Sequence, residues 1–163
     1  MNTSSKVAVC SRSFSKNLVL RAELLKRYEH VKFNDNGVKL DGDSLVDFLK
    51  GHDKAITALE KIDDSILESL PELKVIGKYG VGLDMIDMKA MRAHGKRLGW
   101  TGGVNCRSVS ELVISFAIAL LRHVPVANSE VLLGVWRQHV GGYLSGRTVG
   151  IIGCGHVGKD LVP

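Results

Sequence analysis

Apolar and polar residues alternate in short blocks over the first hundred positions of this chain. Val7-Ala8-Val9-Cys10, Val31-Lys32-Phe33, Ala55-Ile56-Thr57-Ala58 and Leu73-Lys74-Val75-Ile76 read as strands. Arg97-Leu98-Gly99-Trp100 is a weaker fifth. Between them lie helical patterns. Residues 17–28 put Leu18, Leu24 and Leu25 on one side, and Asp43 is placed to cap a helix carrying Leu45, Val46, Phe48 and Leu49. Asp63 or Asp64 can cap a helix over 66–70 that Pro71 stops, and Asp84 can open one that ends at Gly95. Strand and helix in alternation predict a parallel sheet with helices on both faces. Five strands in so few residues predict an α/β fold of the flavodoxin-like, doubly wound kind.

The rhythm changes after Thr101-Gly102-Gly103-Val104-Asn105. A long helix capped by Ser108 or Ser110 is expected to run to about His123, with an interruption at Pro125 and a second helix reaching Trp136 or His139. Two helices without a strand between them predict a domain boundary, giving 1–104 and 105–163. The second region closes on Val149-Gly150-Ile151-Ile152, read as a strand, followed by Gly153-Cys154-Gly155-His156-Val157-Gly158. This G-x-G-x-x-G suits a dinucleotide turn. The first glycine allows a tight strand-to-helix turn, the second lets backbone approach a pyrophosphate, and the third lets helix pack on strand. A plain tight turn is the alternative. A complete domain of this kind needs roughly 100 or more further residues, so the reading is the truncated start of a Rossmann domain. Residues 105–163 are expected to be poorly protected when isolated, because a parallel strand is normally buried on both faces.

The chain is 163 residues long, 45% hydrophobic and 24% charged, with a net charge of +5. The basic residues are scattered among acids and only 6% are aromatic, which argues against nucleic-acid binding. The surplus suits an anionic ligand. Cys10, Cys106 and Cys154 lack metal or disulfide spacing. The N-terminus carries no apolar signal core, and the apolar run 112–121 is too short to span a bilayer. A cytoplasmic protein with no membrane partner is expected.

A second glycine loop, Lys78-Tyr79-Gly80-Val81-Gly82-Leu83-Asp84, falls at the carboxyl end of an expected parallel strand, where ligands of open α/β sheets bind. Gly80 and Gly82 allow backbone N–H groups to gather round a carboxylate, and Lys78 adds charge. A ligand-free βα turn with a solvated lysine is the plainer alternative. The run from Leu73 through Asp87 resembles the substrate loop of the D-isomer-specific 2-hydroxyacid dehydrogenases, nearest their D-3-phosphoglycerate dehydrogenase-like branch. The likeness continues in order through Gly102-Gly103-Val104-Asn105, Val109-Ser110-Glu111-Leu112, Gly134-Val135-Trp136 and the stretch from Leu144 to Gly153. Residues 1–53 fit by pattern only.

The resemblance implies a smaller flavodoxin-like substrate domain joined to a Rossmann domain that holds NAD, with NADP not excluded. Gly80, Val81 and Gly82 would hold the substrate carboxylate, next to Lys78 and Tyr79. Val81 would also approach the nicotinamide, and Asn105 would line the cleft between domains. Gly153, Gly155, His156, Val157 and Gly158 would meet the pyrophosphate. The substrate would be a small anionic 2-hydroxy or 2-oxo acid, 3-phosphoglycerate among the candidates, and the full-length protein a homodimer. Three positions depart from the family pattern. Lys78 replaces a common arginine, so it offers a point charge and no bidentate fork. Met85 stands for asparagine, and Gly102 for proline. Family members supply a catalytic arginine, glutamate and histidine from a later region. None of His30, His52, His94, His123, His139 and His156 matches that histidine. No catalytic residue is assigned, and the chain as given is expected to be inactive. A non-enzymatic NAD-sensing regulator of the C-terminal-binding-protein type and a decayed truncated copy are the alternative functions.

Overall fold

The computed structural model describes residues 4–162. They form two compact units that divide between Thr101 and Gly102.

In the first unit β1 (Lys6–Val9), β2 (His30–Phe33), β3 (Lys54–Thr57), β4 (Val75–Lys78) and β5 (Arg97–Gly99) make one sheet in the order β2-β1-β3-β4-β5. Every pairing is parallel, with Ala8 opposite both Lys32 and Ala55, and Ile76 opposite both Ala55 and Leu98. This is the expected doubly wound order. The connection from β1 to β2 runs through α1 (Arg12–Lys16) and α2 (Leu18–Leu25). The later ones use α3 (Gly42–Leu49), α4 (Asp64–Glu68) and α5 (Met88–Ala93). Right-handed crossovers then put α3, α4 and α5 on one face and α1 and α2 on the other. The main core lies under the first group. Ala8, Ala55 and Ile76 of the sheet meet Leu45, Leu49, Ile66, Leu67, Ala90 and Met91 of the helices. Val7 and Val9, of opposite pleat, are buried toward the other face.

Local chemistry sets the helix ends. The Asn17 side chain accepts from the amides of Val19 and Leu20. Asp63 accepts from Ile66, and Asp87 from Lys89 and Ala90. Two expected caps moved. Helix α3 is capped by Asp41 in a box with Ser44, one turn-residue pair before Asp43. Helix α5 starts after Asp87, because residues 85–87 are held in a parallel bridge to Ile62. It ends as expected at Gly95 (φ +64°), where the amides of Gly95 and Lys96 bond to Arg92 and Met91.

The second unit holds α6 (Cys106–Leu121), α7 (Val124–Leu132) and α8 (His156–Leu161). Ser108 and Ser110 lie inside α6, which Asn105 heads. His123, at φ 56°, breaks the path, and Pro125 sits in the first turn of α7, where its missing N–H costs nothing. That helix ends at Leu132, short of Trp136. Residues 149–152 form no strand, contrary to the sequence pattern. A β-branched run becomes a strand only by exchanging backbone hydrogen bonds with a neighbour, and the described residues of this unit include none. Ile152 and Trp136 are fully or nearly exposed, as are Leu112, Phe116 and Leu120 in large part. No single helix among the described residues is long and apolar enough to cross a membrane. Cys106–Leu121 and Val124–Leu132 reach that length only as a pair bent by 64°.

Candidate functional site

The loop after β4 is built from four anchors. The Tyr79 amide donates to the Thr57 carbonyl at 2.7 Å, extending the β3–β4 ladder by one residue. The Lys78 ammonium donates to the carbonyl of Ala58. The Tyr79 ring meets Phe14 edge-on at 5.3 Å, and the Trp100 indole donates to the Val81 carbonyl at 3.0 Å. Between these ties Gly80 takes φ +132°, a torsion that side-chain-bearing residues rarely adopt. Gly82 lies against the folded-back carboxylate of Asp84. A Cβ there would come within 3.2 Å of its Oδ1. Among the described residues no group accepts from the amides of Gly80, Val81 or Gly82. Three successive free donors therefore sit on a tethered turn at the carboxyl edge of the sheet. That suits recognition of a carboxylate.

Lys78 does not match the plainer alternative of a solvated lysine. It is half-buried and its ammonium is engaged by a backbone carbonyl, so it is not a solvated side chain. Two of its three protons remain for other acceptors. Phe14 and Trp100, which hold the loop, carry no sequence signal of that role. Trp100 follows Gly99, which pairs with Gly77 in the β4–β5 register.

The second glycine turn lies in the other unit. Gly153 adopts φ +86° and Gly155 caps α8. Gly158 is buried, and a Cβ on it would stand 2.8 Å from the Gly153 carbonyl oxygen. A Cβ on Gly155 would meet nothing within 4 Å. The third glycine is thus filled by the protein itself, and the second opens to space. This division fits a turn meant to receive a pyrophosphate. The helix is held to α6 by the Arg107–Asp160 ion pair at 3.1 Å and by the Ser110 hydroxyl, which bonds the carbonyls of Cys106 and Val157. The imidazole of His156 lies over Gly103, where a Cβ would approach Nδ1 to 2.7 Å. Asn105 heads α6, its carbonyl accepting from the Ser108 hydroxyl at 2.9 Å. The structure thus brings Lys78 through Gly82 together in the first unit, and His156, Val157 and the three fingerprint glycines together in the second, while Asn105 stands at the head of α6.

Three of the other histidines are occupied locally. His94 bonds Asp64 at 2.9 Å and His139 bonds Glu130 at 2.5 Å, while His52 contacts the carbonyls of Leu49 and Lys50. Cys10 is fully buried. Burial, reinforced by the nearby charge of Glu60, raises its thiol far above the ordinary range, so it is no nucleophile. Among the described residues no cluster suited to a metal ion occurs.

The model for the catalytic domain of the D-isomer specific 2-hydroxyacid dehydrogenases matches residues 8–156. The chain belongs to this family. It is 35% identical over 125 residues to D-3-phosphoglycerate dehydrogenase of Haemophilus influenzae, covering 75% of this chain and 30% of that enzyme. A D-isomer specific 2-hydroxyacid dehydrogenase, NAD-binding, from a Polaromonas species superposes with a TM-score of 0.83 at 26% identity, over 97% of this chain and 50% of that one. The NAD+-bound 3-phosphoglycerate dehydrogenase of Entamoeba histolytica gives 0.73 at 25% identity, over 97% and 49%. The chain therefore spans about a third of that curated relative and half of these solved structures.

Proposed function

We propose that these residues are the substrate-side domain (1–104) and the opening of the NAD-binding domain (105–163) of an NAD-dependent D-2-hydroxyacid dehydrogenase, with a phosphoglycerate-type acid as the leading substrate class. The observation that carries the reading is the run of free amides at Gly80, Val81 and Gly82 on an anchored turn. They donate to the substrate carboxylate. Lys78 adds positive charge with its uncommitted protons. NAD, held at Gly153, Gly155, His156, Val157 and Gly158, supplies the hydride acceptor. Asn105, at the head of α6, is a candidate polar contributor.

The proton of the 2-hydroxyl needs a base, and the carbonyl formed needs a cation to polarise it. Among the described residues of the first unit, His94 bonds Asp64 and His52 bonds backbone carbonyls, and neither is bonded to the 78–84 loop. We infer that this polypeptide alone does not turn over. The test joins residues 1–163 to the remainder of the Haemophilus influenzae enzyme. The chimera is expected to reduce hydroxypyruvate or its phosphate with NADH, while the 163-residue chain does not. Val81→Asp, which sets a like charge beside the substrate carboxylate, is expected to cut kcat/KM about 100-fold or more. A folded chimera that binds NADH and reduces no 2-oxo acid overturns the assignment. Turnover that copurifies with the 163-residue chain overturns the inference of inactivity.

A further inference from the structure

Among the described residues the backbone of Gly80, Val81 and Gly82 makes one hydrogen bond, in which the Val81 carbonyl accepts from the Trp100 indole at 3.0 Å. The other ties of the loop stop short of the glycines. The Tyr79 amide, the Lys78 ammonium and the Tyr79 ring all hold residues 78 and 79. Hydrogen bonding beyond Tyr79 therefore depends on the indole.

That bond fixes a direction as well as a place. The Val81 carbonyl and the Gly82 N–H belong to one peptide unit, which is planar and trans. In such a unit the C=O and the N–H point opposite ways. Holding the carbonyl on the indole sets the Gly82 N–H on the far side. Turning this peptide over requires only ψ of Val81 and φ of Gly82 to change together, and a glycine tolerates either result because it has no Cβ. The residue that lets a ligand approach thus also lets the amide swing away from it. In the overturned state the carbonyl oxygen would face the anion, and attraction would become repulsion.

Trp100 is suited to prevent this. It follows β5 directly, and its neighbour Gly99 is laddered to Gly77 of β4, so the sheet sets where the indole begins. An indole carries one donor and no acceptor, so it favours the state in which the carbonyl faces it and offers nothing to the amide of the other. At 43% exposure Trp100 lies outside the buried core, which puts its contribution in the hydrogen bond more than in packing. We propose that Trp100 is a positioning residue, whose indole aims the Gly82 amide at the substrate carboxylate by holding the Val81 carbonyl away from it. The inference rests on the glycine loop being the carboxylate site and deepens that reading.

Amide NMR of the isotope-labelled 163-residue chain tests it, with the unreactive 2-oxo acid analogue oxamate as probe. Trp136→Phe serves as background, leaving Trp100 the sole tryptophan. The signals of Gly80, Val81 and Gly82 are expected to move saturably with oxamate. Trp100→Phe is expected to weaken binding about tenfold, the lower end for one charge-assisted hydrogen bond, and to shrink the Gly82 shift most. Benzothienylalanine in place of Trp100 keeps the shape of the indole and exchanges its N–H for sulfur. It is expected to match Trp100→Phe, which a packing role would not produce. In the chimera, Trp100→Phe should raise KM for hydroxypyruvate about tenfold at unchanged NADH affinity. Full oxamate affinity and an unaltered Gly82 shift with benzothienylalanine overturn the positioning role and leave the carboxylate site standing, as does an unchanged KM. No movement of the three amides with Trp100 intact overturns both.

Discussion

Gly155 and Gly158 of the 153–158 turn are predicted to fail differently when given a methyl group, and the contrast separates folding from ligand binding. At Gly158 the new Cβ would lie 2.8 Å from the Gly153 carbonyl oxygen, 0.6 Å inside the 3.4 Å at which ordinary contact begins. The obstacle is backbone, so either α8 slides or the turn opens. Overpacking of this kind costs about 1–3 kcal/mol, and a rigid neighbour puts it in the upper half. Alanine returns about 1 kcal/mol through helix propensity. The net is a loss of about 1–2 kcal/mol, which raises local opening of α8 about 5- to 30-fold. Gly155→Ala meets nothing in the protein, so α8 should open as often as before. Amide exchange in the 163-residue chain reads both, at Lys159, whose N–H bonds the Gly155 carbonyl at 2.9 Å. In the chimera the order reverses in kind. Gly155→Ala is expected to weaken NADH by about tenfold or more, because the methyl holds the phosphates off the amides. Unchanged protection in Gly158→Ala, or equal loss in both variants, would refute the division of roles.

Two further outcomes follow from the first unit. Asp63 is held below its ordinary 3.8 by the Lys61 ammonium, the Ser65 hydroxyl and the Ile66 amide, and Glu72 below its ordinary 4.5 by the Gly51 amide. A depressed folded value means their stabilisation is complete above those ordinary values and is lost as pH falls through the lower folded ones. Urea midpoints should drop on acidifying below about pH 4, and Asp63→Asn should flatten that limb. Thr57 is wholly buried and its hydroxyl has no partner, so Thr57→Val should raise stability by about 1 kcal/mol, seen as a higher urea midpoint at unchanged slope; an equal or lower midpoint rejects it.

The sheet was legible because its strands draw their pattern from burial on both faces, which writes Val, Ile, Leu and Ala into short runs. Boundaries were less so. The 73–76 strand is observed at Val75–Lys78, since Leu73 serves the core below the helices and the ladder is set by β3. Helix α1 went unseen, because Arg12-Ser13-Phe14-Ser15-Lys16 has no apolar period and is held by the Ser11 cap and by Phe14. Asp84 looked like a cap, yet its carboxylate is folded onto Gly82. The strand at 149–152 shows the opposite limit. Composition can favour an extended chain, but a partner must complete it. In the candidate site the glycines and Lys78 could be read directly, while the ties through Trp100, Phe14 and Ala58 depend on register, which residue identity does not carry.

The imidazole stacked on Gly103 carries a consequence for descent. Gly103 also stands at φ +74°, so a side chain there is strained on two counts, by the backbone torsion and by the exposed His156 ring that must turn aside. Substitution at 103 should therefore be tolerated better where position 156, 53 residues on, carries a smaller side chain.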